Sequence, residues 1–166
     1  MHRKGHVGAA LAAYAPIGGL LVAAGIDSLA AVGGVVAVWL ATLPDWDRRI
    51  PFVGHRGVTH TVHFAGAVGG LVGIAGALSG RSAGVWTAAT LGGFGFLVGS
   101  VTILSHVAVD ALTPMGVDPF RNGRRRSLDV TRAANPIAND ALLALGVVSV
   151  GVAYVLGAAI AGSIPG

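Results

Sequence analysis

The chain reads as an all-α, polytopic membrane helix bundle of about five transmembrane helices, one membrane-embedded domain over residues 1–166. Three observations predict this. Hydrophobic residues make up 54% of the sequence and charged residues 11%, with a mean hydropathy of +0.75. A soluble domain carries about 25% charged residues, so this chain could not cover a water-facing surface with so few. Five apolar stretches approach the roughly 20 residues a helix needs to cross the hydrocarbon. The basic residues collect in the connections between them.

The first span is expected over Gly5–Ile26, with a tolerated proline, Pro16, inside it. A tight turn at Asp27 then makes an antiparallel hairpin with the second, over Ser28–Leu43, which stops at Pro44. The third is expected over Val58–Leu78 and the fourth over Ala83–Leu112, ending before Pro114. The fourth is long enough to tilt or project. The fifth is expected over Pro136–Ala161, with Asn135 as N-cap and proline at the favoured first helical position. The pairs Gly66 and Gly70, Gly69 and Gly73, and Gly95 and Gly99 are each four apart, a spacing that lets membrane helices approach closely.

Charge sets the orientation. Arg3 and Lys4 precede the first span. Arg48, Arg49 and Arg56 lie between the second and third. Arg121, Arg124, Arg125, Arg126 and Arg132 lie between the fourth and fifth. Arg81 alone lies on the other side. The positive-inside rule then places the N-terminus in the cytoplasm of a multi-pass cell-membrane protein. The net charge of +4 fits lipid head-group contact, and no nucleic-acid partner is expected. His2-Arg3-Lys4 resembles the basic start of a secretory leader, but no clear cleavage site follows, so the first stretch is read as a span. No repeat suggests an inverted-repeat transporter.

The polar residues are sorted. All six histidines and six of the seven carboxylates fall at one end of the spans, and only Asp27 falls at the other. Ionisable groups at the edge of an apolar bundle are costly and mark a site. Imidazole and carboxylate without thiol is the donor set of a hard-to-borderline metal centre. The chain contains no cysteine and no glutamate, which excludes thiolate ligation and a His-Glu-x-x-His protease helix.

Three segments carry the candidates. Leu43-Pro44-Asp45-Trp46-Asp47 places two carboxylates two residues apart in a non-helical turn, able to converge on one cation, to bridge two, or to pair with Arg48 and Arg49. His55-Arg56-Gly57-Val58-Thr59-His60 frames a turn that Gly57 permits, with His55 from the loop and His60 from the helix. His63, one turn deeper, is a ligand, a partner of one, or an interfacial histidine. Thr59 and Thr61 are expected to hydrogen-bond ligands or, in preference, to cap the helix start. In Ser105-His106-x3-Asp110, histidine and aspartate four apart project from one helix face.

With Gly5-His6 before them and Thr113-Pro114-x-Gly116 after, these motifs resemble those of the YdjM-type inner-membrane proteins, in order from about residue 5 to 120. That family is described as metal-dependent hydrolases and in some members as LexA-binding. The resemblance implies a reaction type without a substrate. Serine usually follows the second histidine in the family, where this chain has Thr61, and Arg132 and Asp140 loosely match an Arg-acid pair near the family's last span.

The expectation is therefore a metal site built from His6, Asp45, His55, His60, His106 and Asp110, holding one or two divalent ions, zinc first. Two ions roughly 3.5–4 Å apart would suit phosphoester hydrolysis. Asp47 is the candidate base. Arg48, Arg49, Arg56 and Arg124 are candidates to hold an anionic head group. The substrate expected is a lipid or lipid-linked phosphoester at the cytoplasmic face. The competing readings are a non-catalytic metal-binding protein for transport or sensing, and a membrane adaptor whose histidines are dispensable.

Overall fold

A computed structural model describes residues 1–52 and 54–163, and among them no β-strand occurs. Five helices follow in order: α1 (Arg3–Ala23), α2 (Asp27–Leu40), α3 (Val62–Gly80), α4 (Val85–Ala111) and α5 (Pro136–Ser163). All five segments are long and apolar enough to span a membrane, the second when extended through Arg49.

Local chemistry explains where the helices stop. Gly25 adopts a φ of 73°, a left-handed conformation that glycine takes without steric cost, and its N–H closes on Val22 O at 2.9 Å. Asp27 consequently opens α2 rather than sitting in the turn. Pro44 does not end helical structure as expected. It occupies the first turn of a short 3-10 helix, Leu43–Arg49, where its missing N–H costs nothing. Asp45 and Asp47 are thus helical, not in an irregular turn. His60 likewise belongs to a separate 3-10 turn, Val58–His60, and α3 starts after it. Thr61 caps α3 by accepting the Phe64 N–H at 3.1 Å, and Asn135 Oδ1 accepts the Ala138 N–H at 3.3 Å at the start of α5.

The α4–α5 connection folds back over the cytoplasm-expected end of α4. The N–H groups of Leu128 and Val130 donate to the terminal carbonyls of Ala111 and Leu112, both at 2.8 Å. Val62 N–H donates to Pro119 O at 3.0 Å, tying the same connection to the start of α3.

The helices associate most extensively as α1 on α5 and α3 on α4. α4 also meets α1 and α2, which makes it the central element. Small residues permit this. A side chain on Gly146 would collide with the Gly8 backbone, and one on Gly99 would reach Gly69 Cα at 3.0 Å. Of the expected glycine pairs, Gly69 with Gly73 and Gly95 with Gly99 lie in the α3–α4 interface. Gly66 and Gly70 face outward with nothing near them. α2 and α5 each rest on α1, and a groove runs between them.

Candidate metal centre

Four segments bring polar side chains to one end of this bundle. His6 comes from the first turns of α1. Asp45 and Asp47 come from the 3-10 helix after α2. His55 and Arg56 come from the loop, and His60 from the turn before α3. His106 and Asp110 come from the last two turns of α4, four residues apart on one face. His6, His60 and His106 are fully removed from solvent, and Asp47 and Asp110 are 1% exposed.

The imidazoles converge through defined atoms. His106 donates from Nδ1 to Ala41 O at 2.7 Å, which leaves its Nε2 lone pair free. His60 is fixed in the same sense. The Thr59 hydroxyl donates to Asp47 Oδ2 at 3.0 Å and lies 3.0 Å from His60 Nδ1, so it accepts the Nδ1 proton. Both rings therefore aim Nε2 at one point, and the two atoms stand 3.2 Å apart, close enough to share one proton. His6 stacks on His106 with ring centroids 3.6 Å apart and planes 6° from parallel.

The carboxylates surround the same point. His60 Nε2 lies 3.4 Å from Asp110 Oδ2, and His6 Nε2 lies 3.5 Å from Asp110 Oδ1 and 3.6 Å from Asp45 Oδ2. Ligand atoms 2.0–2.2 Å from one tetrahedral ion are separated by roughly 3.3–3.6 Å. Among the described residues Asp45 Oδ1 is buried without a hydrogen-bond partner, 3.7 Å from His60 Nε2 and 3.8 Å from His106 Nε2. The donor set fits a divalent ion. The ligand atoms of His6, Asp45, His106 and Asp110 all lie within 4.8 Å of one another, and so do those of a second group, Asp45, His55 and His60.

Electrostatics at His60 follow from this. Burial pulls its pKa down, but the Asp110 and Asp45 carboxylates close to its Nε2 outweigh that, and the net position is above the ordinary 6.5.

Two expected roles change. Asp47 is not a free base facing the cluster. Its Oδ1 accepts from His55 Nδ1 at 3.0 Å, and its Oδ2 accepts from the Arg56 N–H and the Thr59 hydroxyl, each at 3.0 Å. With both oxygens committed, it orients His55 directly and His60 through Thr59. Arg56 cannot reach toward a head group. It is 4% exposed, and its guanidinium binds Asp110 Oδ1 at 3.0 Å, Thr113 Oγ1 at 2.8 Å and Gly116 O at 3.1 Å. Its backbone φ is 58°, a left-handed conformation held by those bonds and by its N–H to Asp47.

The remaining candidates lie at the periphery. His55 is one-quarter exposed, and Arg48 Nη2 donates to its Nε2 at 2.7 Å. Arg48 and Arg49 are exposed beside the cluster, and Arg124 is exposed in the α4–α5 connection. His63 is exposed on the first turn of α3, which leaves the interfacial reading for it. Asp140 pairs with Lys4 at 2.8 Å on the surface. The Met1 amino group also pairs with Asp110.

Sequence reasoning missed Asn139. Buried at the start of α5, it accepts the His2 N–H at 2.9 Å and donates to Asn135 O at 2.7 Å, bracing the chain just ahead of His6. An uncharged amide opening an apolar span was its only signal. Of the two roles expected for the threonines, Thr61 takes the cap and Thr59 the hydrogen bond to a candidate ligand, fixing the His60 ring.

A family model described as YdjM inner membrane protein matches residues 1–164. No curated protein and no solved structure matches the chain.

Proposed function

The chain belongs to the YdjM inner membrane protein family, and from that premise we propose that this multi-pass membrane protein is a metal-dependent hydrolase of a lipid or lipid-linked phosphoester. The observation that carries the reading is the facing pair of Nε2 atoms on His60 and His106, both with Nδ1 committed elsewhere, beside the unpartnered Asp45 Oδ1. Two imidazole nitrogens 3.2 Å apart, with the carboxylates of Asp45 and Asp110 beside them, suit a cation.

Asp45, His60, His106 and Asp110 would hold the ion, zinc by donor type, and His6 would join them once its Nε2 gives up the Met1 carbonyl, to which it donates at 3.0 Å. When bound, it would polarise a phosphoryl oxygen and lower the pKa of a water toward about 7. Asp47 keeps the His60 ring in the ligating tautomer through Thr59, as partners behind metal-binding histidines do. His55 is the residue that moves the proton. Its Nδ1–H is held by Asp47, its Nε2 accepts from the exposed Arg48 side chain and would take the proton once Arg48 turns to the substrate, and it stands at the exposed edge. A basin of about 610 Å³ lined by Arg48, His55 and Arg132 gives an anionic head group a place beside it. Arg124 and the other exposed arginines of the α4–α5 connection would face anionic lipid. The positive-inside distribution supports a cytoplasmic position for this end and for the N-terminus.

The test is elemental analysis of purified protein, together with phosphate release from phospholipids and isoprenoid phosphates. Wild type, His60→Ala and Asp110→Ala are compared with and without chelator. One equivalent of metal lost in both variants, and turnover abolished by chelator, is the expected result. Two equivalents would place His55 and Asp45 at a second ion, with Asp45 shared between the two. Full metal occupancy without turnover on any lipid would replace hydrolysis by transport or sensing, and chelator-insensitive turnover would end the metal reading.

A further inference from the structure

The cluster has one member that leads outward. His6, His60, His106 and Asp110 have side chains at most 1% exposed, whereas the Asp45 side chain is 21% exposed. Asp45 lines a cavity of about 970 Å³ that lies between α2 and α5, with α1 as its floor. That volume is at the upper end of the roughly 300–1,000 Å³ of ligand pockets.

The groove changes chemistry along its length. Beside Asp45 it is lined by Arg3, Arg49, Thr42 and Trp46. Deeper in the bundle its walls are Leu11, Val35, Val38 and Val150. Tyr14 closes the floor, its hydroxyl donating to Ala30 O at 2.6 Å. Trp39 and Trp46 are 73% and 50% exposed at the charged end, where indole rings sit at the membrane–water boundary. From Thr42 to Ala30 the groove follows roughly 18 Å of helix, compared with about 15 Å of hydrocarbon in one leaflet. A smaller cavity of about 180 Å³ shares Tyr14, Ala30, Ala31 and Val150 and continues toward Asp27.

We propose that this groove is a lateral lipid port. It takes one hydrocarbon tail of a phosphate-headed membrane lipid from the bilayer, while Arg3 and Arg49 hold the phosphate beside Asp45. The proposal rests on the hydrolase reading for its purpose, though not for its geometry. Charge complementarity selects the occupant. Two guanidinium groups at head-group depth over an otherwise apolar trough match an anionic head on an apolar chain. A lipid entering here meets the cluster through Asp45 without leaving the membrane, and its cleaved head group leaves toward the arginine basin on the aqueous side.

Photolabelling tests this without relying on turnover. Diazirine-bearing phosphatidic acid and diazirine-bearing polyprenyl phosphate, each in phosphatidylcholine vesicles, are irradiated with the full-length protein. The expected labels fall on α2 and α5 peptides. Ala31→Trp fills the groove from α2 and Val150→Trp from α5. Each should cut labelling roughly tenfold while metal content stays at the wild-type level, which also reports that the fold persists. Arg49→Ala should weaken labelling, and Leu71→Trp on the outer face of α3 should leave it unchanged. Undiminished labelling in both filled variants, labels concentrated on α3, no label from either probe, or α2–α5 cross-links between two copies would overturn the port. Wild-type phosphate release in both filled variants would likewise reject the port while keeping hydrolysis. Groove labelling without turnover would keep the port and reject hydrolysis.

Discussion

The Arg56 guanidinium meets the Asp110 carboxylate at 3.0 Å, with the two side chains only 2% and 1% exposed. The same guanidinium reaches across to Thr113 and Gly116, just past the end of α4, so one side chain joins the loop before α3 to the turn that follows α4. Asp110 is thereby left with a buried counter-charge and the correct orientation to present Oδ2 to His60.

Arg56→Ala should destabilise the protein by about 3–5 kcal/mol, the cost of stranding one member of a buried pair. Arg56→Lys should rescue little, because an ammonium cannot serve three acceptors spread over a planar fork. Thermal unfolding in detergent, with and without chelator, measures both. A loss below about 1 kcal/mol would place Arg56 in a solvated role instead.

Asp47→Asn should lower metal affinity about 10- to 100-fold, the usual consequence of removing a carboxylate behind a metal-binding histidine. The amide keeps the size of the side chain but accepts more weakly from Thr59 and His55. Helix content by circular dichroism should not change. Competition with a chromophoric zinc chelator gives the affinity, and wild-type binding in Asp47→Asn would show that Thr59 alone fixes the ring.

The five spans and the sorting of histidines to one end were legible because each is a property of composition and order along the chain. The cluster of His6, Asp45, His60, His106 and Asp110 follows from that topology alone. The roles of Asp47 and Arg56 do not. In a 3-10 turn, residues two apart point to different sides, so Asp45 enters the cluster while Asp47 turns behind it. Pro44 reads as a stop and hides that turn. Arg56 holds a left-handed backbone where glycine would be expected, and only the acceptors around it explain why. An arginine between two spans reads as a topology determinant until its partners on α4 are known.

Reporter fusions test the orientation. A reporter active only in the cytoplasm should work when joined after residue 130, in the arginine-rich connection, and be silent when joined after residue 163. The opposite pattern would put the cluster, the basin and the groove mouth on the far side of the membrane, and the substrate would have to come from the outer leaflet.

Metal affinity should rise with pH across 6 to 8, and His60 sets the direction. Ligation needs its Nε2 unprotonated, so proton and metal compete for one lone pair. Asp110 and Asp45 raise the His60 pKa in the metal-free fold above 6.5. Protonated His60 therefore stabilises the metal-free fold fully below 6.5, and this contribution is lost as pH rises through the raised value. The metal-free protein should lose thermal stability from pH 6 to pH 8, while zinc affinity gains up to about tenfold per unit below the His60 pKa. Unfolding scans after chelation and zinc competition titrations at pH 6, 7 and 8 read the two trends separately. Zinc affinity that stays flat across that window would mean that no imidazole of this cluster gives up a proton to bind it, and His60 would leave the ligand set.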